Sequence, residues 1–221
     1  MMSAKSDSSL PKARRSMRPR KSDVTRAAIL DAGYDFLREH PFRDMTVGSL
    51  MAKTSYSRAT FYMHFNDLHT LMEVLLDEVK DGIVDGAAPW FSNEVEALKG
   101  LQDSLTAVVE VGFEQGHIFK AVTDAASSDR RLETVWESFV GAFDEIVAER
   151  IRLDQSAGIT PEFDALPVAR ALNRMDAAVV VHAFGGPQKQ DKTEVFSALL
   201  RVWVSTLYPF DAKSMICTGQ K

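Results

Sequence analysis

The segment from Thr46 to Phe65, TVGSLMAKTSYSRATFYMHF, constrains the fold of this 221-residue chain more than any other part. Thr46 and Ser57 carry side-chain oxygens that can cap helices, and each precedes a short run with apolar residues at helical spacing. Lys53 to Tyr56, between these runs, leave room only for a turn. The segment therefore predicts a helix-turn-helix, whose second helix is the one that enters the major groove of DNA. Here that helix would run from about Ser57 to Met63.

The pattern T-V-x-x-L followed by S-R-A-T-F-Y-x-H-F resembles the N-terminal signature of the TetR family of transcriptional regulators. The resemblance covers roughly residues 24 to 84. It implies that Phe61 and Phe65 pack inward and that neighbouring polar residues contact DNA. The residues assigned to DNA contact are Thr46, Ser57, Arg58, Thr60, Tyr62 and His64. Residue chemistry agrees, because hydroxyls and an arginine can reach phosphates and base edges. An amphipathic helical hairpin with polar residues facing water is the alternative.

Two positions depart from the family pattern. Ser55 occupies the turn position where the family commonly has glycine, so this serine must adopt a left-handed conformation or use a different turn. Leu68 follows the aromatic run at the place where the family usually has a phosphate-binding lysine. With Asp67 as cap, the N–H groups at the start of the following helix can still bind phosphate.

Charge is unevenly distributed along the chain. The whole chain has a net charge of −5 and a pI near 5.6, yet basic residues outnumber acidic ones over positions 1 to 69. Residues 1 to 21 are predicted to form a disordered basic arm that contacts phosphates or a narrow minor groove. A solvated tail is the alternative reading. The arm residues assigned to DNA contact are Arg14, Arg15, Arg18 and Arg20.

Helical spacing of apolar residues continues through almost the whole chain, and strand signals are scarce. An all-α fold of about nine helices is predicted, with a helix-turn-helix domain at 22–66, a ligand-binding and dimerisation domain at 67–208 and a flexible tail at 209–221. Gly86, Pro89 and Gly116 mark predicted breaks between helices. Besides the two helices of the motif, the predicted helices are 24–39, 67–84, 93–115, 118–127, 130–155, 162–184 and 192–207.

Fragments of the second domain resemble the EthR-type repressors of the same family. The fragments are KAVT from Lys120, Trp136 with Phe139, ALN-x-M from Ala171, AF-x-G from Ala183 and WV-x-x-x-Y from Trp203. The resemblance implies a long, mostly apolar pocket for a small lipophilic effector, in which Asn173 orients the ligand. The residues assigned to ligand contact are Gly112, Phe113, Trp136, Phe139, Phe143, Asn173, Asp176 and Trp203.

Residue spacing alone leaves these ligand contacts open. Trp136, Phe139 and Phe143 recur at intervals typical of any helix in a bundle. Asn173 and Asp176 lie in an otherwise apolar helix, where a buried polar group without a partner costs roughly 1 to 3 kcal/mol. A ligand would satisfy that need, and so would a water or an intersubunit hydrogen bond.

The last two predicted helices favour a homodimer. Residues 177–184 are almost wholly apolar, and apolar residues cover more than one face of the helix at 192–207. A four-helix interface between two subunits would bury both faces, whereas a central helix in one monomeric bundle is the alternative. Two heads related by a two-fold axis would bind an inverted repeat with half-sites about one helical turn apart.

The sequence therefore predicts a cytoplasmic, ligand-responsive DNA-binding regulator, most simply a repressor released from its operator by a small lipophilic effector. The single cysteine, Cys217, cannot form an internal disulfide, and no segment resembles a secretory signal or a membrane span. No catalytic, metal or cofactor motif is found, so neither an enzyme nor a cofactor is expected. The alternatives are a helical small-molecule or lipid-binding protein without specific DNA binding, and an activator.

Overall fold

The computed structural model describes residues 21–92 and 96–209. Within these ranges the chain forms nine α-helices and one 3-10 turn at Phe42–Asp44, without a β-strand, which confirms the all-α prediction. No helix in this part of the chain is both long and apolar enough to cross a bilayer. The helices are α1 Lys21–Glu39, α2 Val47–Met51, α3 Arg58–Tyr62, α4 Leu68–Phe91, α5 Ala97–Ala126, α6 Arg130–Gly141, α7 Asp144–Ser156, α8 Ala165–Phe184 and α9 Lys192–Leu207.

A small apolar core holds α1, α2 and α3 together. Ile29, Leu50 and Phe61, one from each helix, are completely buried. Phe65 is also buried and lies 5.5 Å from Phe61 between ring centroids. The inward orientation predicted for the two phenylalanines is therefore confirmed. The four-residue spacing places both rings on one side of the chain, and burying each ring stabilises the head by about 1.5–3 kcal/mol.

The helix α4 is longer than its predicted range of 67–84. It continues through Gly86 and Pro89 to Phe91, so the predicted break at these residues is wrong. A Cβ atom on Gly86 would lie 2.4 Å from the Cβ of Ala107, which shows that this glycine allows close approach to α5. Pro89 removes one helical hydrogen bond, but burial of the Trp90 side chain favours continuing the helix for one more turn.

Two further helix boundaries differ from the prediction. The expected break at Gly116 is absent, and α5 is continuous because that glycine is a packing site: its Cβ would lie 2.6 Å from the carbonyl oxygen of Phe184. The helix predicted at 130–155 instead divides at residues 141–143 into α6 and α7. Gly141 is a poor helix former, and the first residue of α7, Asp144, is buried against α8 by hydrogen bonds to Asn173 and Arg174.

The remaining boundaries are close to those predicted. The helix expected at 162–184 begins at Ala165 as α8, and α9 spans the predicted 192–207. Helix α5 lies at the centre of the bundle and contacts α1, α4, α6, α8 and α9. The predicted arm up to residue 20, with Arg14, Arg15, Arg18 and Arg20, and the predicted tail from residue 210 lie outside the described residues.

The role of Gly116 in packing can be tested by a glycine-to-alanine pair. We expect Gly116→Ala to destabilise the protein by about 1–3 kcal/mol, because the added methyl group overlaps the backbone of α8. Gly82→Ala is the matched control: its Cβ would lie 3.7 Å from Val111, an ordinary contact, so the higher helix propensity of alanine should stabilise it by up to about 1 kcal/mol. Urea unfolding of both variants measures the difference. Equal effects would contradict the packing role.

Candidate DNA-binding head and ligand cavity

Hydroxyl caps define the start of both helices in the helix-turn-helix. Thr46 Oγ1 accepts a hydrogen bond from Ser49 N at 3.0 Å, and Ser49 Oγ accepts one from Thr46 N at 3.0 Å, which completes a capping box on α2. Ser57 Oγ accepts from Thr60 N at 3.2 Å and caps α3. Both predicted caps are confirmed. The hydroxyls of Thr46 and Ser57 therefore fix helix starts, and each keeps further hydrogen-bonding capacity.

Thr54 closes the turn between α2 and α3. Its hydroxyl donates to Met51 O at 2.9 Å and accepts from Tyr56 N at 3.1 Å. Thr54 is not among the residues predicted to shape this turn, for which Ser55 is the one position of note. A threonine two residues before the end of a turn is a recognisable signal, because its hydroxyl can bond to nearby backbone groups in this way.

The outer face of α3 presents polar groups to solvent. Tyr62 is 60% exposed, and Arg58, four residues earlier, is exposed on the same side of the helix. The guanidinium of Arg58 extends across α2, where a Cβ on Gly48 would lie 2.2 Å from its Nη2 atom. Thr60 and His64 are half-buried. Of the six residues assigned to DNA contact in the head, four are exposed: Thr46, Ser57, Arg58 and Tyr62.

The start of α4 is occupied by an ion-pair cluster. Asp67 caps the helix, as predicted, by accepting from Thr70 N at 2.8 Å, and its second oxygen accepts from Arg131 of α6 at 2.6 Å. The hydrogen bond from Thr70 N, followed by that from Arg131, lowers the pKa of Asp67 to about 2. Arg131 also donates to Glu73 at 3.1 Å. This chain therefore places a carboxylate bound by Arg131 immediately before Leu68.

A second pair of side chains, His69 and Asp129, also joins α4 to the start of α6. His69 of α4 lies 2.6 Å from Asp129, whose carboxylate also caps α6 by accepting from Arg131 N and Leu132 N. The bond with His69 is the main cause that lowers the pKa of Asp129. We name this set the α4–α6 junction. Its members are Asp67, His69 and Glu73 of α4 with Asp129 and Arg131 at the start of α6.

The helices α4 to α9 line a cavity with a volume of about 80 Å³ and mainly apolar walls. Six of the eight residues assigned to ligand contact line it: Trp136, Phe139, Phe143, Asn173, Asp176 and Trp203. Trp90 and Phe91 also line the cavity, but they are absent from the predicted ligand residues because the predicted helix ends at residue 84. All three tryptophans of the chain therefore line this one cavity.

The other two assigned residues do not line the cavity. A Cβ on Gly112 would lie 2.5 Å from Val180, so this glycine serves the close packing of α5 on α8. Phe113 packs edge-on against Phe184, with ring centroids 5.5 Å apart. Its ring also lies 4.5 Å from the ammonium of Lys189. Both residues therefore pack at the α5–α8 crossing.

The two polar residues of α8 are buried and hydrogen-bonded. Asn173 Nδ2 donates to Asp144 Oδ1 at 3.0 Å, and Trp203 Nε1 donates to Asp176 at 2.9 Å. Among the described residues that line the cavity, Asp176 is the one ionisable side chain. Burial raises its pKa to about 7, although the bond from Trp203 acts in the opposite direction. Each group therefore has one hydrogen-bond partner within the protein.

Known proteins resemble this chain over both the head and the body. The family model for the C-terminal domain of the transcriptional regulator EthR matches residues 101–209. The EthR regulator of Mycobacterium tuberculosis is 28% identical over 212 residues, which cover 93% of this chain and 97% of that protein.

Solved structures share the fold. A TetR-family transcriptional regulator from Rhodococcus sp. has a TM-score of 0.68 at 20% identity, covering 84% of this chain and 99% of that chain. The complex of SmeT with triclosan has a TM-score of 0.68 at 18% identity, covering 82% and 90%. Two short capped helices joined by a tight turn, above a helical body with a cavity, are the arrangement expected of a regulator that reads DNA with its N-terminal head. The chain resembles TetR-family transcriptional regulators in sequence and fold, and its residues 101–209 match the C-terminal domain of EthR.

The raised pKa of Asp176 predicts a pH-dependent stability difference. The folded state retains a proton on this carboxyl up to about pH 7, whereas an unfolded chain loses it near the ordinary value of 3.8. The wild-type protein therefore loses stability between these two pH values, and Asp176→Asn should remove this loss. We expect the variant's advantage to grow to a few kcal/mol by pH 8.

Urea unfolding of both proteins between pH 4 and pH 8 measures this difference. Asp81→Asn, at an exposed position of α4, is the matched control for removal of one carboxylate. A stability difference that does not change with pH would contradict the assignment of a buried, proton-binding carboxyl.

Proposed function

We propose that this ligand-responsive DNA-binding regulator acts as a homodimeric repressor, which a small lipophilic effector releases from an inverted-repeat operator. One observation supports the proposal above all: α4 reaches from the helix-turn-helix head to the wall of the cavity. Its first turn is held by the α4–α6 junction, and its last turns contribute Ile83, Ala87, Trp90 and Phe91 to the cavity. A change in the cavity can therefore move the base of the head.

We propose that α3 enters the major groove and that residues 22–66 form the DNA-binding domain. The exposure of Arg58 and Tyr62 supports direct contact with DNA, since both side chains are available to a partner. The caps at Thr46 and Ser57 place the N-terminal ends of α2 and α3 toward solvent, where N–H groups and hydroxyls can bind phosphates. The basic residues of positions 1–21 would add phosphate contacts that weaken as salt increases.

The homodimer is proposed to form through α8 and α9, within a ligand-binding and dimerisation domain at residues 67–208. Two apolar side chains are exposed on these helices: Val202 of α9, which is 43% exposed, and Ala178 of α8. Val181 and Phe196 are only half-buried. Apolar side chains on the outside of two neighbouring helices favour a second copy as the partner, because a two-fold axis would bury each of these faces against its equivalent.

The proposed response to effector depends on two helices that reach both sites. Helix α6 contributes Trp136, Phe139 and Val140 to the cavity, while its first residues, Asp129 and Arg131, hold the start of α4. Ligand that enters the cavity displaces α6 or the end of α4, and the junction transmits the shift to the head. The effector must bind the released state more tightly than the DNA-bound state, since equal affinities would shift nothing.

We further propose that the protein acts in the cytoplasm by binding alone, without an enzymatic step. The curated relatives are named as transcriptional regulators, which supports this view. The cavity offers one ionisable group, Asp176, and its hydrogen-bond donor is an indole rather than an acid or a base.

Operator binding should depend on the exposed side chains of α3. Tyr62→Ala and Arg58→Ala should fold and dimerise but bind operator about tenfold more weakly or worse, since one base or phosphate contact contributes about 1–3 kcal/mol. Mobility-shift titration at fixed salt measures this loss. Arg152→Ala, on the exposed side of α7, is the control and should bind as the wild type does. Unchanged affinity in both α3 variants would refute the assignment of the head.

The α4–α6 junction should determine how strongly effector weakens operator binding. It should have little influence on the affinity for effector alone or for operator alone. Arg131→Ala removes the bonds to Asp67 and Glu73, so it should reduce the factor by which effector weakens operator binding, by roughly three- to tenfold. Effector affinity without DNA should change little. Arg130→Ala, at the adjacent exposed residue, is the matched control. Operator affinity is titrated with and without effector, and an unaltered coupling factor in Arg131→Ala would show that the junction does not transmit the signal.

A further inference from the structure

We propose that the cavity binds a compact lipophilic amine as its ammonium ion, with Asp176 as the counter-ion and the surrounding aromatic rings as the rest of the binding site. An amine would then be the effector of the regulator proposed above. Only the expectation that amine binding releases DNA rests on the proposed function. The amine-binding site itself follows from the buried groups of the C-terminal bundle.

Asp176 has too few partners for a buried carboxylate. Its side chain is 7% exposed, and one group, Trp203 Nε1, donates to both of its oxygens at 2.9 Å and 3.2 Å. A carboxylate offers about four acceptor sites, so most of its capacity remains available on the side that lines the cavity. A buried charge without a counter-charge is strongly disfavoured.

The other two buried aspartates show what this site lacks. Asp144 accepts from Arg174 at 3.0 Å, and Asp154 pairs with Arg150 at 2.9 Å. Both pairs neutralise the acid within the protein. Asp176 is the third buried aspartate of the described residues, and no lysine, arginine or histidine lines its cavity. The missing positive charge can therefore come from a ligand that enters the cavity.

The walls of the cavity suit an organic cation better than a hydrated metal ion. Trp136 and Phe139 stack with ring centroids 5.5 Å apart and an interplanar angle of 19°, and Trp90 and Trp203 meet edge to face at 6.0 Å. Aromatic faces attract ammonium groups, and together with one carboxylate they are a recurring way to bind organic cations. A volume of about 80 Å³ favours a compact ligand with a short apolar group.

The protonation of Asp176 sets how this binding depends on pH. Because its pKa is about 7, the carboxyl carries a proton below this pH and must release it before it can pair with a cation. Of the residues that face it across the cavity, Ser104 of α5 and Asn173 of α8 are polar and uncharged, and the walls from α4, α6 and α7 are apolar or aromatic. Two charged residues lie behind these walls: Asp144, which contacts Asn173, and Arg150, which contacts Trp90. Asp144 is paired with Arg174, and Arg150 is paired with Asp154.

A binding experiment on the purified protein without DNA tests the proposal. The probes are benzylamine, 2-phenylethylamine and 3-phenylpropylamine, each compared with the alcohol of the same shape. All three tryptophans line the cavity, so intrinsic fluorescence reports occupancy directly. At pH 8 we expect at least one amine to bind tenfold or more tightly than its alcohol. Asp176→Asn should abolish this preference while alcohol affinity stays within about threefold, and Asp81→Asn should retain it.

The wild-type protein provides a second readout that does not depend on the variant's folding. The preference for the amine should fall by about tenfold for each pH unit below 7, as Asp176 becomes protonated. The proposal is overturned if no amine is preferred over its alcohol, if the preference does not change with pH, or if folded Asp176→Asn keeps it.

Operator binding distinguishes this inference from the regulatory function. In a mobility-shift titration, the preferred amine should weaken the operator complex of the wild type and leave that of Asp176→Asn unchanged. An amine that binds the cavity but does not affect the complex would overturn its role as effector. If no amine is preferred, operator binding by the head can still be observed. Failure of the amine-binding proposal is therefore distinct from failure of the proposed regulatory function.

Discussion

The packing of α4 along α5 is the interaction on which the rest of the molecule depends. One face of α4 is buried from Leu71 to Trp90, over almost its whole length. Burial of Trp90 extends the helix past Pro89, and Gly86 lets the two helices approach closely. Because the helix is continuous, its first turn supports the head and its last turns form a wall of the cavity. A shorter α4 would leave the two sites without a common rigid element.

The two ends of α4 use different chemistry. At the start, charged groups of the α4–α6 junction meet near solvent, where each ion pair contributes little to stability but fixes the relative position of two helices. At the far end, apolar and aromatic side chains line a cavity with one buried acid, Asp176. Charges that are largely solvated can exchange partners at low cost, whereas a buried carboxyl responds strongly to a cation. This difference suits a switch at one end and a sensor at the other.

Local signals in the sequence predicted the head well, because its structure is determined by short-range interactions. Caps at Thr46, Ser57 and Asp67 and the four-residue spacing of Phe61 and Phe65 are all present in the structure. Six of the eight assigned ligand residues also line the cavity. The resemblance to EthR-type repressors supplied Trp136, Phe139, Asn173 and Trp203, whereas Asp176 stands out in the sequence as a polar residue in an apolar helix. The charge relations of Asp176 could not be read from the sequence, since its donor Trp203 is 27 residues away on another helix.

Glycine was the main source of error in the sequence analysis. The sequence predicts helix breaks at Gly86 and Gly116, but at each of these glycines two helices touch. A single sequence does not distinguish a glycine that breaks a helix from one that allows close packing. Conversely, the break near Gly141 depends on the long-range bonds of Asp144 to α8, which the helical periodicity of residues 130–155 conceals. In both cases tertiary packing overrides local preference.

We propose that this chain reads a specific DNA sequence as a symmetric pair of heads. Selection of genomic DNA fragments by the purified full-length protein, at a fixed salt concentration, tests it most directly. The account predicts enrichment of one inverted repeat whose half-sites lie about one helical turn apart. Weak, salt-sensitive binding to every fragment, with no enriched sequence, would contradict it and would favour a helical ligand-binding protein without specific DNA recognition.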